Sequence, residues 1–310
     1  MNKILVTGAS GMVGEALIAA LVSKGYTIHA LTRKAKSNTS SVSYFTWDLE
    51  EGAIDKSCIT DVEAIIHLAG AGIAKKPWSK NVRINILKSR TDSIQLIYQL
   101  LQSTPHRVKT VISASATGYY GNRGDELLTE ERVPSDDFLG QTCLAWEQVV
   151  SQAASYGIRT VSLRSGIILS KEDGALPLMA KPVKLGLGAK LGNGRQYTPW
   201  IHLEDAVAMY IFALEHEGLR GVYNMVAPET ITNKTLNRAL AKTLKKPLWA
   251  PPVPAFLIRS IMGKMSDLLL HSTRVSAERI SNAGFKFKYP TIREALTNIY
   301  IKPAEDEQKE

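Results

Sequence analysis

Apolar positions in the first half of the chain fall into short runs rich in β-branched residues. Longer stretches separate them, in which apolar residues recur at helical spacing. Runs at 3–7, 27–32, 43–47, 64–68, 110–114 and 160–163 predict strands. The intervals 12–24, 81–102 and 140–155 predict helices, and Gly25 and Gly157 stand where a glycine ends a helix. This alternation predicts βαβ units in an α/β fold, a doubly wound parallel sheet with ligand sites at the carboxyl ends of its strands. After about Gly166 the character changes. Residues 175–191 are rich in Gly, Pro and Lys. A helix is predicted at 203–215 and a strand at 221–225 that rejoins the sheet, while 236–244, 255–270 and 292–300 are apolar at helical spacing. The expected division is a first domain over 1–170, rejoined by about 203–226, and a smaller, partly interleaved lobe over 171–310.

Composition narrows the class. With 310 residues, 45% of them hydrophobic, the chain has material for a large core. The first strand is predicted almost at the initiator, so no signal peptide is expected, and no apolar run approaches a membrane span. Cys58 and Cys143 lie in different segments without metal-ligand spacing, so a cytoplasmic protein with reduced thiols and no metal is expected. The formal charge is +9, yet no Lys/Arg run exceeds two residues and no basic stripe is interleaved with aromatics. Neither a nucleic-acid nor a membrane partner is expected; the excess suits a phosphorylated cofactor or an acidic substrate. The acidic tail, residues 304–310, is expected to fray.

The densest chemical signal is Thr7-Gly8-Ala9-Ser10-Gly11-Met12-Val13-Gly14. It follows the apolar run Ile4-Leu5-Val6 and opens a helical run, the strand–turn–helix context of a dinucleotide site. Glycine lets the backbone turn sharply and approach a pyrophosphate, and the N–H groups that open the helix favour its negative charge. Gly8, Ser10, Gly11, Met12, Val13 and Gly14 are therefore candidate cofactor contacts. After the second strand, Thr32-Arg33-Lys34 offers two cations where an NAD site usually places an acid. A guanidinium fits a 2′-phosphate, which favours NADP over NAD.

The spacing Gly-x-x-Gly-x-x-Gly behind Thr7 resembles the short-chain dehydrogenase/reductase superfamily, in its extended, epimerase-like branch, and implies a Rossmann fold. Further stretches carry the same resemblance. Trp47-Asp48 ends the third strand, where an acid in that branch meets the adenine amino group; Asp48 reads equally well as a turn residue. His67-Leu68-Ala69-Gly70 resembles the element that passes over the cofactor, with His67 read as a packed strand residue. Asn85 and Arg90 fall on a helix that lines the nicotinamide side in the family; Arg90 could equally be a surface cation. Ser113-Ala114-Ser115-Ala116-Thr117-Gly118-Tyr119-Tyr120-Gly121 is close to the epimerase serine strand. The resemblance puts Ser113 by the cofactor and Ser115 in the catalytic serine position, donating to a substrate oxygen.

The same match exposes a gap. Trp146-Glu147-Gln148 resembles the landmark after the family's Tyr-x-x-x-Lys, and counting back from Glu147 gives Cys143 for the lysine and Leu139 for the tyrosine. Neither does that work, and Phe138 carries no hydroxyl. A replacement would come from Tyr119, Tyr120, Arg90, Cys143 or His202, with Tyr119 taken beside Ser115 as the catalytic pair. Leu163-Arg164-Ser165-Gly166-Ile167-Ile168 is similar to the strand that closes the nicotinamide end, and places Ile168 by the cofactor. Arg195 and His202, in Gly194-Arg195-Gln196-Tyr197-Thr198-Pro199-Trp200-Ile201-His202, are candidate substrate contacts, and Asp205 reads as structural. Together these stretches resemble the YfcH-type, nucleoside-diphosphate-sugar epimerase-like proteins with a C-terminal domain of unknown function. That resemblance implies NADP binding, an unknown small-molecule substrate and hydride-transfer chemistry. It also admits a regulatory role, as in cell division. A homodimer is a further expectation.

Overall fold

The computed structural model describes residues 3–301, so the acidic tail lies outside the described residues. The first elements are β1 (Lys3–Thr7), α1 (Met12–Ser23), β2 (Thr27–Thr32), β3 (Val42–Asp48), β4 (Ala53–Ile54), β5 (Ala64–His67), α2 (Lys80–Ser103) and β6 (Thr110–Ala116). There follow β7 (Leu127–Leu128), α3 (Phe138–Ser151), β8 (Arg159–Ser165), β9 (Ile167–Leu169), α4 (Ala175–Lys184), β10 (Trp200–His202), α5 (Leu203–Glu215) and β11 (Gly221–Met225). The chain continues with α6 (Asn233–Thr243), α7 (Ala255–Met262), α8 (Asp267–Leu270), β12 (Arg274–Val275), α9 (Glu278–Asn282) and α10 (Ile292–Tyr300).

Eight strands form the central sheet in the order β11-β8-β6-β5-β1-β2-β3-β4. β1 pairs in parallel with both β2 and β5, β2 with β3, and β5 with β6; β4 turns back antiparallel on β3. The winding reverses at β1/β5, the position where doubly wound sheets bind nucleotides. This is a Rossmann-like α/β fold. Gly25 and Gly157 end their helices with φ of +87° and +74°.

The chain divides into two compact units. The first runs to Tyr119 and resumes over Asp136–Arg164 and Val207–Tyr223. The second takes Tyr120–Ser135, Ser165–Ala206 and the described residues from Asn224 onward. The short segment at 120–135 thus belongs with the second unit, and residues 207–223 with the first.

Two cores match these units. In the first, Leu5, Ile65 and Val111 of the sheet pack with Ile97, Leu100 and Leu101 of α2 and Trp146 and Val150 of α3. In the second, α4, α6 and α10 meet through Leu176, Leu236, Leu240 and Leu296, with Leu169 and Trp200 from the β9–β10 pair. Composition predicted no element at 175–191, but α4 forms there. Leu176, Ala180 and Val183 follow helical spacing and are buried, and Pro182 is accommodated inside the helix. The predicted helix at 255–270 is interrupted at Gly263, with φ of +54°.

Candidate functional site

The glycine turn between β1 and α1 is built from contacts within the first unit. Gly8 has φ of +67°, and a Cβ there would lie 2.7 Å from the Leu68 carbonyl group. A Cβ on Gly14 would run into the Gly8 carbonyl oxygen. Both positions admit only glycine, which brings α1 close against the sheet. Gly11 differs: its φ is −90° and a Cβ would meet only the Gly8 oxygen, at 3.4 Å. The turn itself does not demand glycine there.

Ser10 and Gly11 are exposed, and no side chain caps α1. The first-turn N–H groups, which no helix carbonyl reaches, open at this tip. An uncapped helix N-terminus behind an unobstructed glycine fits a pyrophosphate. Met12 and Val13 begin the helix and are half-buried. Thr7, which the sequence reading left without a role, ties the neighbouring strand ends together. Its Oγ1 accepts from the Leu68 and Ala69 N–H groups, both at 3.1 Å. The signal was a polar residue closing an apolar strand.

Thr32 ends β2 and donates its hydroxyl to the Lys34 carbonyl at 2.7 Å, which shapes a loop where Arg33 and Lys34 are both exposed. Asp48 is exposed and its Oδ1 accepts from the N–H groups of Glu50 and Glu51 at 2.8 and 3.2 Å, so of its two readings the turn role is realised.

The loop after β5 is fastened to α2. Ser89 Oγ accepts from the Ala71 N–H at 2.9 Å, and Arg90 Nη1 donates to the carbonyls of Ala71 and Ile86 at 3.1 and 2.8 Å. A Cβ on Gly70 would meet the Arg90 guanidinium carbon at 3.2 Å, so the loop lies directly over Arg90. Arg90 is thus no surface cation. Burial lowers its pKa, and its guanidinium sits 5.2 Å from the Trp146 ring. Asn85, on the same helix, is exposed.

Two expectations on β5 and β6 resolve into one buried network. His67 is fully buried, with Nε2 2.8 Å from Ser93 Oγ and Nδ1 3.3 Å from Ser113 Oγ. Burial, with Arg90 nearby, pushes the His67 pKa down to about 3, so the ring is neutral. Ser113, expected beside the cofactor, is itself fully buried and donates to the Ala114 carbonyl at 2.9 Å. Its hydroxyl serves the inside of the sheet.

Ser115 is held by a group that sequence reading used only as a landmark. Its hydroxyl donates to Glu147 Oε1 at 2.6 Å. Arg164 clasps the same carboxylate, Nε to Oε1 at 2.8 Å and Nη2 to Oε2 at 2.7 Å. The Arg164 guanidinium in turn lies 3.4 Å from the centroid of the Tyr119 ring. Ser115, Glu147, Arg164 and Tyr119 therefore form one cluster at the carboxyl ends of β6 and β8. The available signal was Glu147 on the apolar stripe of α3, beside Cys143, Trp146 and Val150, where a carboxylate needs a buried partner.

Leu139 and Cys143 occupy the positions counted for the tyrosine and lysine. Leu139 packs over Gly118, whose Cβ would lie 3.3 Å from that of Leu139. Cys143 is buried, and burial with the Glu147 carboxylate pushes its thiol up to about 12. It remains a neutral thiol at ordinary pH and is no replacement for a lysine cation.

The remaining candidates belong to the second unit. Ile168 pairs with Ile201 across β9–β10, and Arg195 is exposed, its N–H bonded to Asn193 Oδ1 at 2.8 Å. Tyr120 is fully buried and donates to Asn224 Oδ1 at 2.7 Å, which removes it as an accessible proton donor. His202 is buried as well. Its Nδ1 accepts from the Glu204 N–H at 3.1 Å, its ring lies tilted against Tyr289 with centroids 4.0 Å apart, and it hydrogen-bonds to Asn298. Burial lowers its pKa to about 4. His202, expected at the substrate, is a buried, neutral ring that caps the start of α5. Asp205 is structural, accepting from the N–H groups of Lys288 and Tyr289 at 2.7 and 3.0 Å. No cluster of metal-ligating side chains occurs among the described residues.

Comparison with known proteins agrees with this geometry. The sequence profile described as "NAD dependent epimerase/dehydratase family" matches residues 4–225, and that of a "Domain of unknown function (DUF1731)" matches residues 253–299. "Epimerase family protein YfhF" of Bacillus subtilis is 35% identical over 299 residues, 96% of this chain and 97% of that protein. The human epimerase family protein SDR39U1 (isoform 2), solved with NADPH, superposes with a TM-score of 0.85 at 26% identity, covering 96% of this chain and 99% of that one. A nucleoside-diphosphate sugar epimerase from Corynebacterium glutamicum superposes with a TM-score of 0.78 at 28% identity, covering 96% of this chain and 58% of that one.

Proposed function

The chain belongs to the NAD dependent epimerase/dehydratase family, and from that premise we propose that it binds NADP(H) and acts as an epimerase- or reductase-like protein on a nucleotide sugar or small carbonyl compound. The observation that carries this reading is the β1–α1 turn, with Gly8 and Gly14 locked by internal contacts and Gly11 open at an uncapped helix end. The N–H groups at Ser10–Val13 would hold the pyrophosphate. Arg33 and Lys34 would meet the 2′-phosphate, and Leu68–Gly70 would line the path toward the nicotinamide. The likeness to a relative solved with NADPH supports the choice of NADP. When bound, the cofactor supplies or accepts the hydride.

The chain's own contribution is at Ser115. For Ser115 to donate to a substrate oxygen, its hydrogen has to swing away from Glu147, whose carboxylate is fixed by two Arg164 bonds. Tyr119, its ring facing the Arg164 guanidinium, supplies the phenol of this cluster. With Leu139 and Cys143 in the dyad positions, conventional epimerisation is expected to be very weak, because positioned acid–base groups contribute about 10²–10⁴-fold.

One specific observation favours a second reading, a cofactor-binding regulatory or sensor protein: the thiol and leucine at the dyad positions carry no usable proton. The test is an NADPH-coupled screen of UDP-sugars, GDP-sugars and small carbonyls with wild type and Ser115→Ala. Slow turnover that disappears in Ser115→Ala supports the enzyme. NADPH binding without turnover supports the sensor. Fast epimerisation by wild type refutes the reading of the missing dyad, and turnover indifferent to Ser115→Ala shows that the chemistry lies elsewhere.

A further inference from the structure

Exposed apolar side chains concentrate on one part of the second unit. Phe256, Leu257 and Ile261 of α7 are 65%, 43% and 83% exposed, and Trp249 is 69% exposed. At 100° per residue, Phe256, Leu257 and Ile261 share one stripe about 140° wide, while Ile258 turns into the protein. Leu185 and Leu187, just past α4, are exposed too. They join the same surface, because Leu191 pairs with Val253, the Val253 N–H donates to the Lys190 carbonyl at 3.0 Å, and Leu248 lies over Gly188. A contiguous exposed apolar group of this kind marks an interaction surface.

Charge identifies what it contacts. Residues 174–203 carry four Lys/Arg and no Asp/Glu, and residues 230–266 carry seven and none. These two segments alone exceed the +9 of the whole chain. Lys184, Lys245, Lys246, Arg259 and Lys264 are exposed and flank the apolar side chains in sequence. Aromatic and aliphatic residues rimmed by cations suit the headgroup region of an anionic bilayer. A second copy would set like charges face to face, which disfavours self-association through this surface.

We propose that this surface of the second unit docks peripherally on an anionic lipid bilayer. Trp249, Phe256, Leu257 and Ile261 enter the headgroup–acyl boundary while the surrounding cations meet lipid phosphates. No helix among the described residues is long and apolar enough to cross a membrane, so attachment is from one side. The expectation of no membrane partner rested on the absence of an apolar run long enough to span a bilayer, which one-sided docking does not need.

The test is flotation of the full chain with vesicles of phosphatidylcholine alone or mixed with phosphatidylglycerol, at low and high salt. The chain is expected to float with the anionic vesicles only, and less so at high salt. Lys245→Ala with Lys246→Ala should weaken binding roughly 25-fold, from about 1 kcal/mol per cation at the surface. Ile261→Asp should also weaken it, with unchanged circular dichroism. Trp47, Trp146 and Trp200 are buried and Trp78 is half-buried in the first unit, so in a Trp78→Phe background brominated lipid should quench a signal that Trp249→Phe removes. The proposal is overturned by no flotation with either vesicle, or by equal flotation on both with the variants unaffected. A concentration-dependent dimer dissolved by Ile261→Asp overturns it in favour of a second copy. Polyglutamate binding as tight as vesicle binding overturns it in favour of an acidic protein.

Discussion

Removing the Glu147 carboxylate should destabilise the protein far more than removing Glu147 and Arg164 together. The two side chains are 10% and 3% exposed, and their bonds, at 2.8 and 2.7 Å, are joined by a third from Ser115 at 2.6 Å. Glu147→Gln keeps the volume and one acceptor oxygen. It sets an amide nitrogen against Arg164 Nη2, donor to donor, and leaves a buried guanidinium without counter-charge. Breaking one partner of a buried pair costs about 3–5 kcal/mol. The Tyr119 ring, 3.4 Å from the guanidinium, faces it in wild type and variant alike, so a loss of about 3–5 kcal/mol is expected. Glu147→Leu with Arg164→Met, by contrast, exchanges the pair for apolar volume and should fall within about 1 kcal/mol of wild type, on either side. Urea unfolding of wild type, Glu147→Leu, Arg164→Met and the double variant closes the cycle, with Glu147→Gln measured beside it. A Glu147→Gln protein within about 0.5 kcal/mol of wild type, the usual surface value, would refute the buried coupling. Strictly additive losses in the double variant would refute it too.

Gly11→Val should abolish NADPH binding by calorimetry while leaving the melting temperature nearly unchanged, because a Cβ at Gly11 meets only one oxygen at 3.4 Å. Gly14→Ala should instead destabilise the fold, since its Cβ would collide with the Gly8 carbonyl; equal behaviour of the two variants would remove the distinction. Arg33→Ala should weaken NADPH by about 1.5–3 kcal/mol in a fluorescence titration and hardly touch NADH, and equal losses would count against a 2′-phosphate contact. Burial lowers the pKa of His202 to about 4, from the ordinary histidine value of 6.5. The unfolded chain therefore binds the proton first, and stability is full above pH 6.5 and falls as pH drops toward 4. The loss is on the order of 3 kcal/mol. His202→Asn should flatten that part of the stability–pH curve, and an unchanged slope would show that the ring is not held neutral.

What the sequence determined by itself was local. β1, β2, α5, β11 and α10 occupy the residues predicted for them, because apolar period and glycine punctuation act within one element. The glycine turn was legible for the same reason. Tertiary structure decided whatever depends on partners far apart in the chain. The Ser115–Glu147 bond spans 32 residues and Arg164–Glu147 spans 17, so no window of sequence displays that cluster. Burial, likewise, turned His202 into a neutral cap, Ser113 into part of a histidine network and Arg90 into a loop fastener. The sign and accessibility of a side chain are local, but its desolvation and its partners are set by what packs around it. The cationic apolar surface follows the same rule. Its two acid-free segments are each unremarkable as sequence, and the pairing of Leu191 with Val253 makes them one face.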